Sequence, residues 1–125
     1  MPDRRILAGV DVVPVSKIRA SHRKFKGKFL RKVLTVGEIS YCKRKKNSYQ
    51  SMAARFAAKE AFKKAFSGVS NMGLGWREVE IIVGRNRVPE LKLSARIRKK
   101  LGKNKTAVSL SHTQDYAFAV VLIYS

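Results

Sequence analysis

The stretch Arg55-Phe-Ala-Ala-Lys-Glu-Ala-Phe-Lys-Lys-Ala-Phe66 limits the fold more than any other part of the chain. With residues set about 100° apart, Ala57, Ala58, Ala61, Phe62, Ala65 and Phe66 form a broad apolar arc, and Lys59, Glu60, Lys63 and Lys64 fall opposite it. A helix with so wide an apolar face needs a sheet or further helices to cover it. Glu60 is the odd member, a carboxylate among cations in a chain with only 8 acids against 28 Lys and Arg. Either it pairs with Lys64 one turn later, or it holds a cation that a phosphate substrate needs.

The rest of the chain supplies the cover. Residues 6–13, Ile-Leu-Ala-Gly-Val-Asp-Val-Val, read as a buried strand rich in β-branched side chains, ended by Pro14. Ser16 is placed to cap a helix in which Val15, Ile18, His22, Phe25 and Phe29 recur at 3-4 spacing, with Gly27 weakening its end. Thr35-Val-Gly-Glu38 is a capping-box pattern for a helix to about Lys45, and Asn47-Ser48 breaks the chain before the long helix, which runs to Phe66. Residues 78–83 alternate as a strand. Gly84-Arg-Asn-Arg87 turns into a partner from Pro89 to Leu93, and Ser94 starts a basic helix that stops at Gly102. Val108 to His112 and Tyr116 to Tyr124 are two more strands around the turn at Thr113-Gln-Asp115. The order predicts an α+β fold, a mostly antiparallel sheet packed against one long helix and shorter ones, in one domain spanning 1–125.

Charge narrows the function. A formal net charge of +20 draws in anions: nucleic acid, a phosphate-rich small molecule, an acidic protein or an anionic membrane face. No apolar run approaches the roughly 20 residues of a membrane span, and the first residues carry no cleavage pattern, which predicts a cytoplasmic protein. The single cysteine, Cys42, reads as a small half-buried hydrophobe on a helix in a reducing compartment.

Asp11 is costly to bury unpaired between valines, so it either faces solvent or caps a backbone amide, or it joins Glu60 as a second carboxylate. Two carboxylates with waters and phosphate oxygens suit magnesium. His112 stands at a strand end before a turn, within easy reach of a ligand or simply on the surface. The chain contains no zinc-spaced cluster, P-loop or Gly-x-Gly-x-x-Gly motif.

Four motifs occur in order: Gly9-Val-Asp-Val-Val13, Arg55 to Ala65, Trp76-Arg-Glu-Val-Glu-Ile81, and Ser109-Leu-Ser-His-Thr113. Together they resemble the holo-acyl-carrier-protein synthases, the short form of the 4′-phosphopantetheinyl transferases. The resemblance covers essentially the whole chain. It implies that a serine of an apo acyl carrier protein attacks the β-phosphorus of coenzyme A, in support of fatty acid biosynthesis. By position it makes Asp11 and Glu60 magnesium ligands, Glu60 and Lys64 catalytic, and Arg55, Lys64 and His112 ligands of the coenzyme. It also implies a homotrimer with interfacial sites, and it gives the basic residues Lys17, Arg19, Arg23 and Lys24 an acidic carrier to dock. Two departures stand out. Pro14 sits where the family often has an acid. The family's Gly-Lys-Pro turn is here Arg87-Val88-Pro89, which leaves Arg85 or Arg87 to supply the missing charge. The rival reading is a basic nucleic-acid-binding protein without catalysis, with Phe25 and Phe29 interleaved among lysines. Against it, those two rings fall on the apolar stripe, where core packing accounts for them.

Overall fold

A computed structural model describes residues 5–125; Met1 to Arg4, part of the stretch scanned for a cleavage pattern, lie outside the described residues. Strand β1 (Ile6–Pro14) runs antiparallel to β5 (Tyr116–Tyr124), which pairs on its other edge with β4 (Lys105–His112). Between them in sequence come helices α1 (Val15–Phe25), α2 (Gly27–Val33), α3 (Val36–Lys43) and α4 (Ser48–Phe66). They are followed by the hairpin of β2 (Val79–Val83) with β3 (Pro89–Leu93), and by α5 (Ala95–Leu101). The sheet is thus two antiparallel pieces rather than one.

Helix α4 is the axis of the molecule and packs on β1 and β5. Its alanines, Phe62 and Phe66 are buried, as the arc requires. On β1, alternation puts Leu7, Gly9, Asp11 and Val13 on one face, and Gly9 lies so close to α4 that a Cβ there would collide with the carbonyl oxygen of Ala61. Close backbone contact between strand and helix therefore demands glycine at this point. The opposite face of the sheet is apolar yet open: Ile6, Val10, Val12, Tyr116, Phe118 and Val120 are all exposed, Val10 by 61%.

Several local expectations change. Lys59 does not lie opposite the apolar arc; it is only 3% exposed. Its ammonium donates to Glu38 Oε1 (2.6 Å) and to the Trp76 carbonyl (3.0 Å). The other Glu38 oxygen accepts from the Ile81 amide. A long aliphatic stem lets Lys59 cross the helix edge to this buried partner, a contact that wheel geometry cannot reveal. The basic stripe is two helices and not one, because Lys26 takes φ 52° and breaks the ladder just before Gly27. The break turns Phe25 outward, leaving it 51% exposed, while Phe29 is half-buried against Phe56. Ser16 is not the cap, since the helix already begins at Val15 behind Pro14. The Thr35–Glu38 capping box forms as expected, although α3 stops at Lys43. Cys42 is fully buried rather than half-buried, and burial pushes its thiol pKa up.

Candidate active site

The residues singled out from sequence fall into two groups on different sides of α4. Successive helical residues turn by about 100°, so Arg55 and Glu60 end up about 140° apart, while Lys64 returns to the Glu60 side.

The first group gathers where β1 crosses α4. Asp11 lies on the helix-facing side of the strand, not toward solvent, with its side chain 19% exposed. Lys64 reaches across from α4 and donates to Asp11 Oδ1 at 3.1 Å and to the Val10 carbonyl at 3.0 Å. The partner of Lys64 is therefore Asp11 and not Glu60. Glu60, one turn earlier on the same side, is half-buried and lines a small cavity of about 60 Å³ with Lys59, Lys63, Leu74, Gly75 and Trp76. Trp76 stacks on Phe56 with centroids 4.9 Å apart, and Lys17 of α1 sits 5.3 Å above the Phe56 ring. A hydrogen-bonded rail fixes the cavity wall: Lys59 holds the Trp76 carbonyl, and Glu78 accepts from the Gly75 amide, Ser94 and Arg96. These bonds, led by Arg96, bring the Glu78 carboxyl down to about 2.

The second group lines a groove of about 380 Å³ between the α3–α4 junction, the β2–β3 turn and the end of β4. Arg55 forms its inner wall. Its guanidinium lies 4.3 Å from the Tyr41 ring centroid and donates from Nη1 to Ser51 Oγ at 3.0 Å. The residue is 5% exposed, yet Arg55 Nε has no hydrogen-bond partner. A buried guanidinium held in place by Tyr41 and Ser51 keeps its charge fixed in the groove wall. Lys45, Arg87 and His112 bring further positive or donor groups, and among the described residues no carboxylate lines the groove. Asn47 Nδ2 lies 3.2 Å from His112 Nε2 and orients the imidazole. The chemistry is that of an anion receptor.

Sequence reasoning missed Tyr41, Lys45 and Asn47 as members of this groove; of Arg85 and Arg87, the two offered for the missing charge, Arg87 lines it. Lys45 and Asn47 sat in a cationic run and a helix break, which look the same whether solvated or functional. The α1 cations also divide: Lys17 leans on Phe56, Arg19 lies 5.2 Å from the Tyr49 ring, and Arg23 and Lys24 are exposed beside Phe25.

Among the described residues no three His, Cys, Asp or Glu side chains converge as a preformed metal cage. Two carboxylates on facing elements still fit magnesium, a hard cation that keeps several waters and takes its remaining oxygens from a phosphate substrate. Asp11 and Glu60 are the residues that would hold it.

Comparison with known proteins gives the class. The model of the 4′-phosphopantetheinyl transferase superfamily matches residues 8–121, and the chain belongs to that superfamily. A holo-[acyl-carrier-protein] synthase of Chlamydia trachomatis is 38% identical over 115 residues, covering 91% of this chain and 95% of that protein. Its counterpart in Chloroherpeton thalassium is 36% identical, with coverage of 92% and 94%. Among solved structures, the Helicobacter pylori holo-[acyl-carrier-protein] synthase in complex with coenzyme A superposes with a TM-score of 0.82 at 31% identity, covering 94% of this chain and 99% of that one. The Neisseria meningitidis enzyme gives 0.84 at 27%, covering 95% and 98%. Within the superfamily the chain therefore falls among the holo-[acyl-carrier-protein] synthases, and it is an enzyme. The α+β fold expected from sequence is that of these structures. No helix among the described residues is long and apolar enough to cross a membrane.

Proposed function

We propose that residues 1–125 act as one transferase domain that moves the 4′-phosphopantetheine group from coenzyme A to a serine of an apo acyl carrier protein, in the cytoplasm and in support of fatty acid biosynthesis. The observation that carries the reading is the Arg55 groove, in which a buried guanidinium stands with Lys45, Arg87 and His112. Such a groove suits the phosphates at the nucleotide end of coenzyme A.

In the reaction, the serine oxygen forms a bond to the β-phosphorus. The bond from that phosphorus to the bridging oxygen breaks, and adenosine 3′,5′-bisphosphate leaves with the electron pair. The serine proton passes to a carboxylate or to water, with Glu60 the candidate base. Arg55 and His112 hold the leaving bisphosphate in line, which is most of what such a transfer asks of a protein. Lys64 serves as a phosphate ligand: its ammonium already stands at the carboxylate end of the site. Asp11 and Glu60 hold magnesium, which when bound neutralises charge on the diphosphate.

Arg55 and Glu60 open onto different sides of one chain, so a complete site needs two copies. The exposed apolar face of β1 and β5 provides the surface for self-association, and we read the working form as a homotrimer with its sites at the interfaces. Lys17, Arg19, Arg23 and Lys24 then receive the acidic carrier, with exposed Phe25 as an apolar contact beside them. The exposure of Phe25 removes one argument against nucleic-acid binding. Two acids on facing elements at the heart of the molecule still have no role in that rival.

The test is direct. Incubated with magnesium, coenzyme A and apo acyl carrier protein, the enzyme should add about 340 Da to the carrier, the mass of one phosphopantetheine group. Adenosine 3′,5′-bisphosphate should appear in equal amount. Carriers of unchanged mass would refute the proposal.

A further inference from the structure

We infer that Arg87 determines specificity for the charged end of the nucleotide: it binds a phosphate in the Arg55 groove and holds a backbone position suited to glycine in order to do so. The inference rests on the coenzyme A reading above.

The β2–β3 turn is tight, closed by the Gly84 amide on the Val88 carbonyl (2.8 Å) and the Val88 amide on the Arg85 carbonyl (3.2 Å). Its two central residues are both left-handed, Asn86 at φ 57°, ψ 25° and Arg87 at φ 61°. Consecutive positive φ values mark the primed hairpin turn that matches the twist of the flanking strands. Asparagine is at ease in the first place, since its short polar side chain tolerates the left-handed region. The second place favours glycine, because any Cβ there is strained. An arginine in that place is unfavourable for the turn itself, and strained residues of this kind gather at ligand sites.

The surroundings say what the arginine does. Of the two turn arginines, Arg87 lines the groove and Arg85 does not. Among the described residues no carboxylate lines that groove and Arg87 forms no ion pair. Its charge is therefore not spent on a protein acid. Arg55 lines the same groove, its guanidinium held by Tyr41 and Ser51. Two guanidiniums facing an acid-free groove repel each other until an anion lies between them. A planar five-donor fork suits phosphate oxygens, which a lysine reaches only as a point charge.

Stability and binding should consequently move in opposite directions. Arg87→Gly relaxes the turn and removes the charge; Arg87→Lys keeps the charge and the strain. Thermal melting and calorimetric titration with adenosine 3′,5′-bisphosphate read the two effects separately. We expect Arg87→Gly to melt at or above the wild-type temperature while binding the bisphosphate roughly ten- to a hundredfold more weakly. Arg87→Lys should lose less. Unchanged binding by Arg87→Gly would overturn the inference, as would a lower melting temperature, which would mean that arginine is kept for the fold. A wild-type protein that binds no bisphosphate at all would take down the coenzyme reading together with this one.

Discussion

Arg55 and Glu60 share one helix and stand about 1.4 turns apart on it, yet their surroundings differ in kind. Arg55 is locked by core packing, with Tyr41 against its guanidinium, Ser51 bonded to Nη1 and the residue 5% exposed. Glu60, Asp11 and Lys64 stand at a more open junction, where the Lys64–Asp11 ion pair has a Lys64 side chain 54% exposed. Among the described residues the groove is lined by cations and no carboxylate, whereas on the other side Lys64 pairs with Asp11. On this account the first region supplies binding and the second supplies chemistry, so substitutions on the two sides should fail in different ways.

The largest effect is expected where the two regions are tied together. Lys59 lies between Arg55 and Glu60 in sequence and anchors α4 to Glu38 and Trp76. Lys59→Met leaves Glu38 buried without its counter-charge and should cost about 3–5 kcal/mol in urea unfolding. Pairing it with Glu38→Gln should recover part of that loss. Next comes Glu60→Gln, for which kcat for carrier modification should fall on the order of a hundred- to a thousandfold. Its binding of coenzyme A without divalent ion should stay at the wild-type value. Arg55→Ala reverses that pattern, weakening coenzyme binding by roughly ten- to a hundredfold in calorimetry. Reversing Lys17 and Arg23 to glutamate should slow carrier association by about tenfold at low salt, with the deficit shrinking as salt is added. Binding of free coenzyme A should not change.

The smallest effect concerns acid. The Glu78 carboxyl titrates near 2 in the fold against an ordinary value of 4.5. Because the folded value is the lower one, its contribution is present above pH 4.5 and is lost as pH falls toward 2. Wild-type melting temperature should therefore drop more steeply across that window than that of Glu78→Gln. Equal slopes would mean that the Arg96 contact is only a screened surface pair.

Much of this was legible in the residues. The alanine-rich arc predicted a buried helix, and the helix forms over Ser48–Phe66. Thr35 and Glu38 predicted their capping box, and Gly84 to Arg87 the hairpin turn. These are local signals, carried by spacing and turn chemistry. What escaped was tertiary. Glu38 looked complete as a capping residue, and nothing in its neighbours pointed to Lys59, 21 positions away. Phe25 matched the apolar period, but the positive φ at Lys26 ended that period one residue later. Asp11 presented a choice between solvent and helix, and only the strand's register against β5 settled which way it faces. The groove drew on three separated segments, none of which carries a motif by itself.

The central claim is that one catalytic site is built from the groove of one copy and the acidic side of another. Complementation tests it most directly. Glu60→Gln and Arg55→Ala chains, each nearly inactive alone, are dissociated, mixed in equal amounts, reassembled and assayed for carrier modification. Shared sites predict recovery to roughly a quarter of wild-type activity, the fraction of interfaces that pair two intact halves. A mixture no more active than the mean of its two parents would contradict the account.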